Sequence, residues 1–460
     1  MVPSTNGCWG NGYKTSAKEV KTVEIVILGA GPGGQAAASE ALCHGHSVTL
    51  VDPDGLGGNA LNHSLVPSKV LIRAASTIKR AKQGDARWDP TAWATIMGDQ
   101  DRRVRSGIVR AKKALQAARV ISERANLVAP RTVETDRTKI RINGDVLVIA
   151  TGSGQRVIPG FIPDGERVWA PRIFRTLKTL PRTLAIVGAG ATGLEAASLF
   201  SNFGVKVHLY TSDHDVLPDY HHSIRRLLIE SIQKQGVFLH VQRRVVRLEA
   251  IEHDTVRLHW SFGEDWGVED YPHVLLATGR TPTWPRDTLE SMGFILDDAG
   301  FFKVGPTGRT SVDGVYAVGD AAGRPLFASK AWKEGRLAMR DALGLTTEGG
   351  GPMVEAIYTD PEVARVGSRT RFPYLAEDKS PWFYASLLDD IPPSLIVYTD
   401  AGGRIKGAEA IGSNAAELMS TVAAALLGNL SIKDLSHLNV ASPSTTELLC
   451  MLTPLGEERC

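Results

Sequence analysis

The sequence predicts an α/β protein that contains two copies of a parallel βαβ unit and ends in an α+β domain. Two stretches, Glu24–Asp52 and Leu184–Thr211, share one pattern: a β-branched apolar run, a Gly-x-Gly-x-x-Gly turn, an alanine-rich segment and a second apolar run. Each is followed much later by another shared segment, VLVIATGS at 146–153 and VLLATGRTP at 274–282. Repetition of this kind indicates two domains of the same type.

The order of these segments predicts the domain boundaries. The second copy begins soon after the first ATG segment, so it is expected to be inserted in the first domain, which resumes and ends near GVYAVGD at 314–320. After a glycine-rich linker at 349–352, short predicted strands at 394–398 and 407–411 precede an apolar helix at 415–427. The predicted parts are a disordered tail at 1–21, a first domain at 22–155 and 275–346, an inserted domain at 156–274 and a C-terminal domain at 347–460.

Composition excludes several classes of protein. The 460 residues are 43% hydrophobic, and 52 Lys and Arg balance 50 Asp and Glu, which does not favour a nucleic-acid partner. The first twenty residues contain no apolar run long enough for a signal peptide, and no later run reaches the length of a membrane span, so a cytoplasmic location is expected.

The cysteines predict neither a metal site nor a disulfide framework. There are four, Cys8, Cys43, Cys450 and Cys460, and their spacing does not match metal ligands. Cys450 and Cys460 could form a mobile dithiol, but ordinary thiols are the favoured interpretation.

The first glycine turn predicts a bound dinucleotide. Gly29, Gly31 and Gly34 supply the tight turn, the close backbone approach and the helix contact that a pyrophosphate requires, and the helix N-terminus adds partial positive charge. Asp52 ends the second apolar run 23 residues after Gly29, where a carboxylate can accept hydrogen bonds from a ribose.

The second turn predicts a second nucleotide site. It contains Gly188, Gly190 and Gly193, and Thr211 and Ser212 stand where an acid would select NAD and an arginine NADP. The neighbouring Asp213 disfavours a 2′-phosphate by charge repulsion, so NADH is the favoured donor.

Three further motifs complete a family resemblance: LGGNALNHSLVPSK at 56–69, GVYAVGDAAG at 314–323 and YTDPEVARVG at 358–367. With the two glycine turns and the ATG segments, they resemble the pyridine nucleotide-disulfide oxidoreductases, in the branch of dihydrolipoamide dehydrogenase, glutathione reductase, mercuric reductase and soluble transhydrogenase. The resemblance implies two Rossmann-like domains, FAD, NAD(P)H and a homodimer formed through the C-terminal domain. It also implies cofactor contacts at these residues: Gly58, Thr151, Gly152, Gly319 and Asp320.

The resemblance assigns three further roles. Asp320 corresponds to the acid that binds the ribityl chain of FAD. Lys69 corresponds to the lysine near the flavin, and Glu195 to its ion-pair partner. A positive charge near flavin N5 favours the anionic reduced ring and therefore hydride acceptance.

Departures from the family pattern carry as much information. Ala60 and Leu65 stand where the family has its two redox cysteines, and Ser442 stands where it has the catalytic histidine, although Glu447 is kept. Without thiols, electrons cannot pass from flavin to a dithiol. In the second glycine turn, Ala191 stands where the family often has an aromatic residue, which leaves room for a flat substrate.

These departures predict an FAD-dependent oxidoreductase that passes hydride from NAD(P)H through flavin N5 directly to a small acceptor such as a quinone. His63, between the two altered positions, is a candidate proton donor because histidine titrates near neutral pH. Alternatives are a soluble transhydrogenase, a flavin dehydrogenase or oxidase of a specialised metabolite, and a non-enzymatic flavin-binding dimeric module.

Overall fold

The structure is a computed structural model that describes residues 22–81, 90–156, 160–251, 255–347, 350–377 and 392–455. The predicted tail at 1–21 lies outside the described residues, as do Cys8 and Cys460. Both predicted βαβ units are present. In each copy, the two apolar runs form parallel, hydrogen-bonded strands, and a helix joins them.

The strands are, in chain order, β1 Glu24–Leu28, β2 Ser47–Val51, β3 Arg119–Ile121, β4 Ala125–Ala129, β5 Thr132–Thr135, β6 Arg141–Asn143, β7 Val146–Ile149, β8 Gly154–Gln155, β9 Val168–Trp169, β10 Thr183–Val187, β11 Lys206–Tyr210, β12 Val237–His240, β13 Arg244–Ile251, β14 Thr255–Phe262, β15 Asp265–Tyr271, β16 Val274–Leu276, β17 Arg280–Thr281, β18 Val315–Ala317, β19 Val354–Ile357, β20 Glu362–Gly367, β21 Phe372–Glu377, β22 Ser394–Thr399, β23 Ile405–Gly412 and β24 Thr453–Pro454.

The helices are α1 Pro32–Cys43, α2 Gly58–Asn62, α3 Leu65–Ala81, α4 Pro90–Ala114, α5 Ala191–Asn202, α6 His222–Lys234, α7 Arg286–Ser291, α8 Ala328–Ala342, α9 Ala415–Leu427 and α10 Ile432–Ser436. Short 3-10 helices cover Pro171–Arg175, Gly319–Ala322 and Thr445–Cys450. Among the described residues, none of these helices is long and apolar enough to cross a bilayer.

The first of two compact units contains the described residues of Met1–Ser68, Met97–Arg156 and Arg280–Gly349. Its main sheet is parallel, with strand order β18-β7-β1-β2-β3. In β1, Ile25 and Ile27 enter the core on one face while Val26 and Leu28 enter the core on the other. Because both faces are covered, the strand is continuously apolar instead of alternating.

The second unit contains the described residues of Lys69–Ile96, Val157–Gly279 and Gly350–Cys460. It has a parallel sheet in the order β12-β11-β10-β16-β9, an antiparallel sheet β13-β14-β15, and an antiparallel sheet β19-β20-β23-β22-β21-β24. Helix α9 buries Leu418, Met419 and Val422 against the last of these. The strands and helix predicted after residue 390 are therefore confirmed, whereas the three domain boundaries stay a prediction.

Helices α1 and α8 approach closely in the first unit. The backbone of Gly335 in α8 lies so near Gly33 in α1 that a Cβ atom at position 335 would stand 2.1 Å from the Gly33 carbonyl oxygen. The nearly buried carboxylate of Glu40 accepts hydrogen bonds from Arg336 Nε at 3.2 Å and Arg340 Nη1 at 2.8 Å. Charge-assisted bonds of this kind hold the two helices in one register.

We expect Gly335→Ala to lower the free energy of unfolding by about 1–3 kcal/mol, because the added methyl group forces the two helices apart. Urea unfolding followed by circular dichroism measures the change. Gly98→Ala is the matched control, since Gly98 is an exposed glycine of α4 whose added Cβ would meet nothing within 4 Å. The control should be neutral or more stable by about 0.5–1 kcal/mol, and equal destabilisation in both variants would contradict the packing argument.

Candidate functional site

The first glycine turn has the geometry of a pyrophosphate cradle. Gly29 has a φ of +97°, and a Cβ atom on it would stand 2.2 Å from the Ala150 carbonyl oxygen. A Cβ on Gly34 would stand 1.9 Å from the Gly29 carbonyl oxygen, whereas a Cβ on Gly31 would meet nothing within 4 Å. The first and third glycines of the turn are therefore required by the close packing of the protein backbone. The middle one faces open space, where a dinucleotide needs the bare backbone.

The segments around this turn are arranged for the same ligand. Helix α1 begins directly after Gly31 with Pro32, so its N-terminal amide groups lie beside the open space. The start of α2 also packs here: a Cβ on Gly58, which has a φ of +53°, would stand 2.6 Å from Gly31 Cα. The predicted cofactor-contacting glycines 29, 31, 34 and 58 are thus brought together, and they fit the pyrophosphate of FAD.

Asp52 lies next to the turn, but its carboxylate is already engaged. It accepts hydrogen bonds from Ala30 N at 2.7 Å and Asp54 N at 2.8 Å. Burial raises the pKa of the Asp52 carboxyl, and these two backbone donors oppose the rise. Asp52 therefore fixes the glycine turn to the end of β2, and its contact with a ribose stays a prediction.

Asp320 is held by residues of both ATG segments. Ser153 Oγ donates to Asp320 Oδ2 at 2.5 Å, and Arg280 Nε lies 3.5 Å from the same oxygen. Arg280 Nε also donates to Ser153 Oγ at 2.6 Å, because the short antiparallel pair of β8 and β17 brings the two segments together. Gly319, with a φ of +66°, sets the turn that presents Asp320.

The predicted contacts at Thr151 and Gly152 precede Ser153 in the same loop. Gly152 has a φ of +69°, which glycine adopts without strain. Thr151 Oγ1 accepts a hydrogen bond from Thr283 Oγ1 at 3.3 Å.

The second glycine turn repeats the first in the second unit. A Cβ on Gly188 would stand 2.5 Å from the Ala277 carbonyl oxygen, and one on Gly193 would stand 1.8 Å from the Gly188 carbonyl oxygen. A Cβ on Gly190 would meet nothing within 4 Å. Helix α5 begins at Ala191, so the open space again lies at a helix N-terminus. This turn therefore fits a nicotinamide dinucleotide on the same physical grounds.

Lys69 and Glu195 form the ion pair that the resemblance implies. Lys69 Nζ, on α3, lies 2.7 Å from Glu195 Oε2, on α5, and both side chains are largely buried, with 27% and 17% exposed. The other carboxylate oxygen accepts the Tyr358 backbone N–H at 3.0 Å, and Lys69 Nζ lies 4.5 Å from the centre of the Tyr358 ring. These contacts orient the ammonium group and shield it from water.

Glu362 is a candidate that sequence reasoning missed. It begins β20, and burial, together with the charges of Glu417 and Asp360, raises the pKa of its carboxyl to about 7, while Lys69 opposes the rise. A carboxylic acid that titrates near neutral pH is typical of proton-transfer sites. Its position in the TDPE motif was the available sequence signal, but burial sets the pKa and is not visible in a motif.

The altered family positions fall on two helices. Ala60 lies in α2 and Leu65 is the first residue of α3, with 38% of Leu65 exposed. His63 lies between them, and its Nε2 is 3.0 Å from Asp54 Oδ2. The predicted proton donor thus has a carboxylate partner.

The glutamate of the C-terminal motif is shielded and has no hydrogen-bond partner in the described part of the chain. Both carboxylate oxygens of Glu447 are shielded from solvent, and neither has a hydrogen-bond partner among the described residues. Ser442 is exposed. Burial and the charge of Glu447 raise the pKa of the Cys450 thiol, which disfavours a reactive thiolate there.

Comparison with known proteins supports the same fold and chemistry. Residues 23–335 match the family described as "Pyridine nucleotide-disulphide oxidoreductase". The chain is 30% identical to dihydrolipoyl dehydrogenase 2 of Haloarcula marismortui over 75% of each chain, and 28% identical to leghemoglobin reductase of Glycine max over 92% of this chain and 86% of that one.

Solved structures show the same fold. LpdA of Mycobacterium tuberculosis superposes with a TM-score of 0.82 at 24% identity, over 93% of this chain and 98% of that one. The HOCl-induced flavoprotein disulfide reductase RclA of Escherichia coli superposes with a TM-score of 0.81 at 22% identity, over 93% and 98%.

The two open glycines allow the two nucleotide sites to be separated. We expect Gly31→Ala to fold normally but to weaken FAD binding by at least about tenfold, because the methyl group fills the space for the pyrophosphate. Gly190→Ala should keep FAD and weaken NAD(P)H binding to a similar extent. Flavin absorbance after gel filtration and nicotinamide titration of the purified proteins measure the two effects. Loss of both ligands in either variant would contradict the assignment.

Proposed function

This chain belongs to the pyridine nucleotide-disulphide oxidoreductase family and is a flavin-dependent oxidoreductase, and from that premise we propose that it works without a redox disulfide. The proposed reaction passes hydride from NAD(P)H to a small diffusible acceptor such as a quinone. FAD, when bound, supplies the two-electron centre between donor and acceptor. The observation that carries the proposal is the intact Lys69–Glu195 pair, together with a sequence that has no sulfur at positions 60 and 65.

The lysine pair supports hydride chemistry of the kind that the family performs. Its 2.7 Å contact is anchored by the Tyr358 backbone and shielded by the Tyr358 ring. A preorganised positive charge in a partly buried site stabilises negative charge that develops during hydride transfer, and it does so without reorganisation of solvent. This requirement does not depend on thiols.

Two features support transfer without a disulfide. Alanine and leucine side chains at positions 60 and 65 can form neither a thiolate nor a disulfide. Glu447 keeps a shielded carboxylate that has no hydrogen-bond partner in the described part of the chain, as expected if the histidine of this motif is replaced by Ser442. The two changes agree, since that histidine moves protons for the thiol pair.

An apolar acceptor fits the altered loop. Leu65 leaves 38% of its residue surface exposed, and flat apolar molecules bind against such side chains. Reduction of a quinone to a hydroquinone consumes the hydride of one NAD(P)H and one further proton. We propose that His63, paired with Asp54 at 3.0 Å, supplies that proton and recovers it from solvent.

The finer assignments extend this proposal. NADH is the proposed donor, because the exposed Ser212 and Asp213 place a hydroxyl and a negative charge after β11, where a 2′-phosphate requires a cation. We also propose a cytoplasmic homodimer that forms through the sheet containing β19–β24.

We expect Lys69→Met to slow reduction of the flavin by NADH roughly 100-fold, because the ordered positive charge is removed. Stopped-flow absorbance under anaerobic conditions measures the rate. Lys79→Met is the matched control. Lys79 lies on the same helix about 15 Å further along, and its pair with Asp360 has the same exposed fractions, 27% and 17%. Similar rates in both variants would remove Lys69 from the proposed role.

Anaerobic stopped-flow absorbance also tests the whole proposal. The NADH-reduced enzyme should reduce a quinone, should not turn over dihydrolipoamide, and should never show the long-wavelength absorbance band of a thiolate next to flavin. The double variant Ala60→Cys/Leu65→Cys is the positive control, in which that band is expected after reduction. The His63→Ala variant should slow only the quinone step.

Each contrary result identifies an alternative. Rapid transfer to a thio-analogue of NADP would indicate a transhydrogenase, and a flavin that no nicotinamide reduces would indicate a metabolite oxidase or a binding module. Turnover of dihydrolipoamide by the wild-type protein at the rate of a dihydrolipoyl dehydrogenase would refute the proposal.

A further inference from the structure

Two histidines and a glutamate meet in the second unit, outside the two glycine turns. His208 Nδ1 and His240 Nε2 lie 3.1 Å apart, and an oxygen of Glu269 completes a group of three ligand atoms that all lie within 4.8 Å of one another. His208 is in β11, His240 ends β12 and Glu269 is in β15. All three side chains are partly buried. The spacing of the cysteines predicted no metal site, and no sequence motif indicated this cluster of two histidines and a glutamate.

Strand register explains why these residues meet. In the parallel pair of β11 and β12, Tyr210 stands opposite His240 and His208 opposite Phe238. Since residues two apart on a strand share a face, His208, Tyr210 and His240 lie on one face of the parallel sheet. Tyr210 packs in a core cluster with Tyr271 of β15, which places Glu269, two residues earlier, against the same group.

Neighbouring rings hold the three ligands in place. The Tyr271 hydroxyl donates to Glu269, and it lies 2.7 Å from the Tyr210 hydroxyl. The His240 ring stacks on Tyr210 at 4.4 Å between centres, and the His208 ring stacks on Phe238 at 4.8 Å. Outer groups that orient a carboxylate and two imidazoles are a general feature of metal sites.

We propose that His208, His240 and Glu269 bind one divalent transition-metal ion, with Zn²⁺ as the best fit and a water molecule in the fourth position. Two nitrogens on a tetrahedral Zn²⁺ ion are about 3.3 Å apart, given Zn–N bonds of about 2.0–2.1 Å, and the observed separation is 3.1 Å. Imidazole ligands favour Zn²⁺ over Ca²⁺ and Mg²⁺, which prefer oxygen. The Glu269 side chain closes the remaining gap by rotation about its flexible torsions.

Such an ion would join two sheets of the second unit. Two of its ligands come from the parallel sheet that contains β11 and β12, and the third comes from the antiparallel sheet that contains β15. The proposed ion does not depend on the proposed redox reaction.

The experiment uses full-length, untagged, flavin-loaded protein that has been dialysed against EDTA and then against metal-free buffer. Zn²⁺ is titrated by isothermal calorimetry, and bound metal is counted by elemental analysis after gel filtration. Wild-type protein should bind one Zn²⁺ ion per chain. The His240→Gln and Glu269→Gln variants should bind none, or bind it at least about tenfold more weakly. His259→Gln is the matched control. His259 lies on the same antiparallel sheet and contacts Glu249 at 3.0 Å, but it does not belong to the three-ligand cluster.

A conservative variant distinguishes weaker metal binding from misfolding. Tyr271→Phe keeps all three ligands and removes only the hydroxyl that orients Glu269, so it should weaken binding about 10–100-fold. An unchanged flavin spectrum and circular dichroism spectrum show that each variant is folded. If the wild-type protein binds no Zn²⁺ in the titration, the three residues form a hydrogen-bonded cluster only and the proposal is overturned. Equal Zn²⁺ affinity in wild type, His240→Gln and Glu269→Gln also overturns it.

Discussion

The structure depends on a backbone contact that only glycine permits. In each parallel sheet, the helix after the first strand touches the turn that precedes it: a Cβ would stand 1.9 Å from a carbonyl oxygen at Gly34 and 1.8 Å from one at Gly193. This contact fixes where α1 and α5 begin, and therefore where their N-terminal amide groups point. The open space at the middle glycine, which an anion can enter, exists because the outer two glycines allow the approach.

In the second unit, the same contact also positions the lysine partner. Glu195 follows Gly193 by two residues, so the turn that sets the start of α5 also sets the position of this carboxylate. One carboxylate oxygen meets Lys69 of α3 and the other meets the backbone of Tyr358. The nucleotide turn and the charged pair are therefore one mechanical unit. A change that displaced α5 would therefore disturb both.

The features that could be predicted from the sequence are those that depend on residues close together in the chain. The two βαβ units, the glycine turns and the apolar helix at 415–427 follow from local patterns, and the structure confirms them. The Lys69–Glu195 pair, 126 residues apart, came only through family resemblance. Features set by burial or by strand register could not be predicted. The pKa of Glu362 depends on desolvation, and the cluster of His208, His240 and Glu269 requires the register of β11 with β12 and the packing of β15.

Two acidic side chains of the second unit differ in how their burial is compensated. A buried carboxylate without a partner is costly, so it either becomes protonated or is kept because a function requires it. Glu362 accepts a hydrogen bond from the Ala416 backbone N–H at 3.4 Å, but burial still raises its pKa to about 7, where it exchanges protons readily at neutral pH. Glu447 is shielded, and its oxygens have no hydrogen-bond partner among the described residues. Under the proposed function, a quinone takes up a proton together with the hydride, although no thiol takes part. Glu362, whose carboxyl titrates near neutral pH, has the chemistry to exchange such a proton.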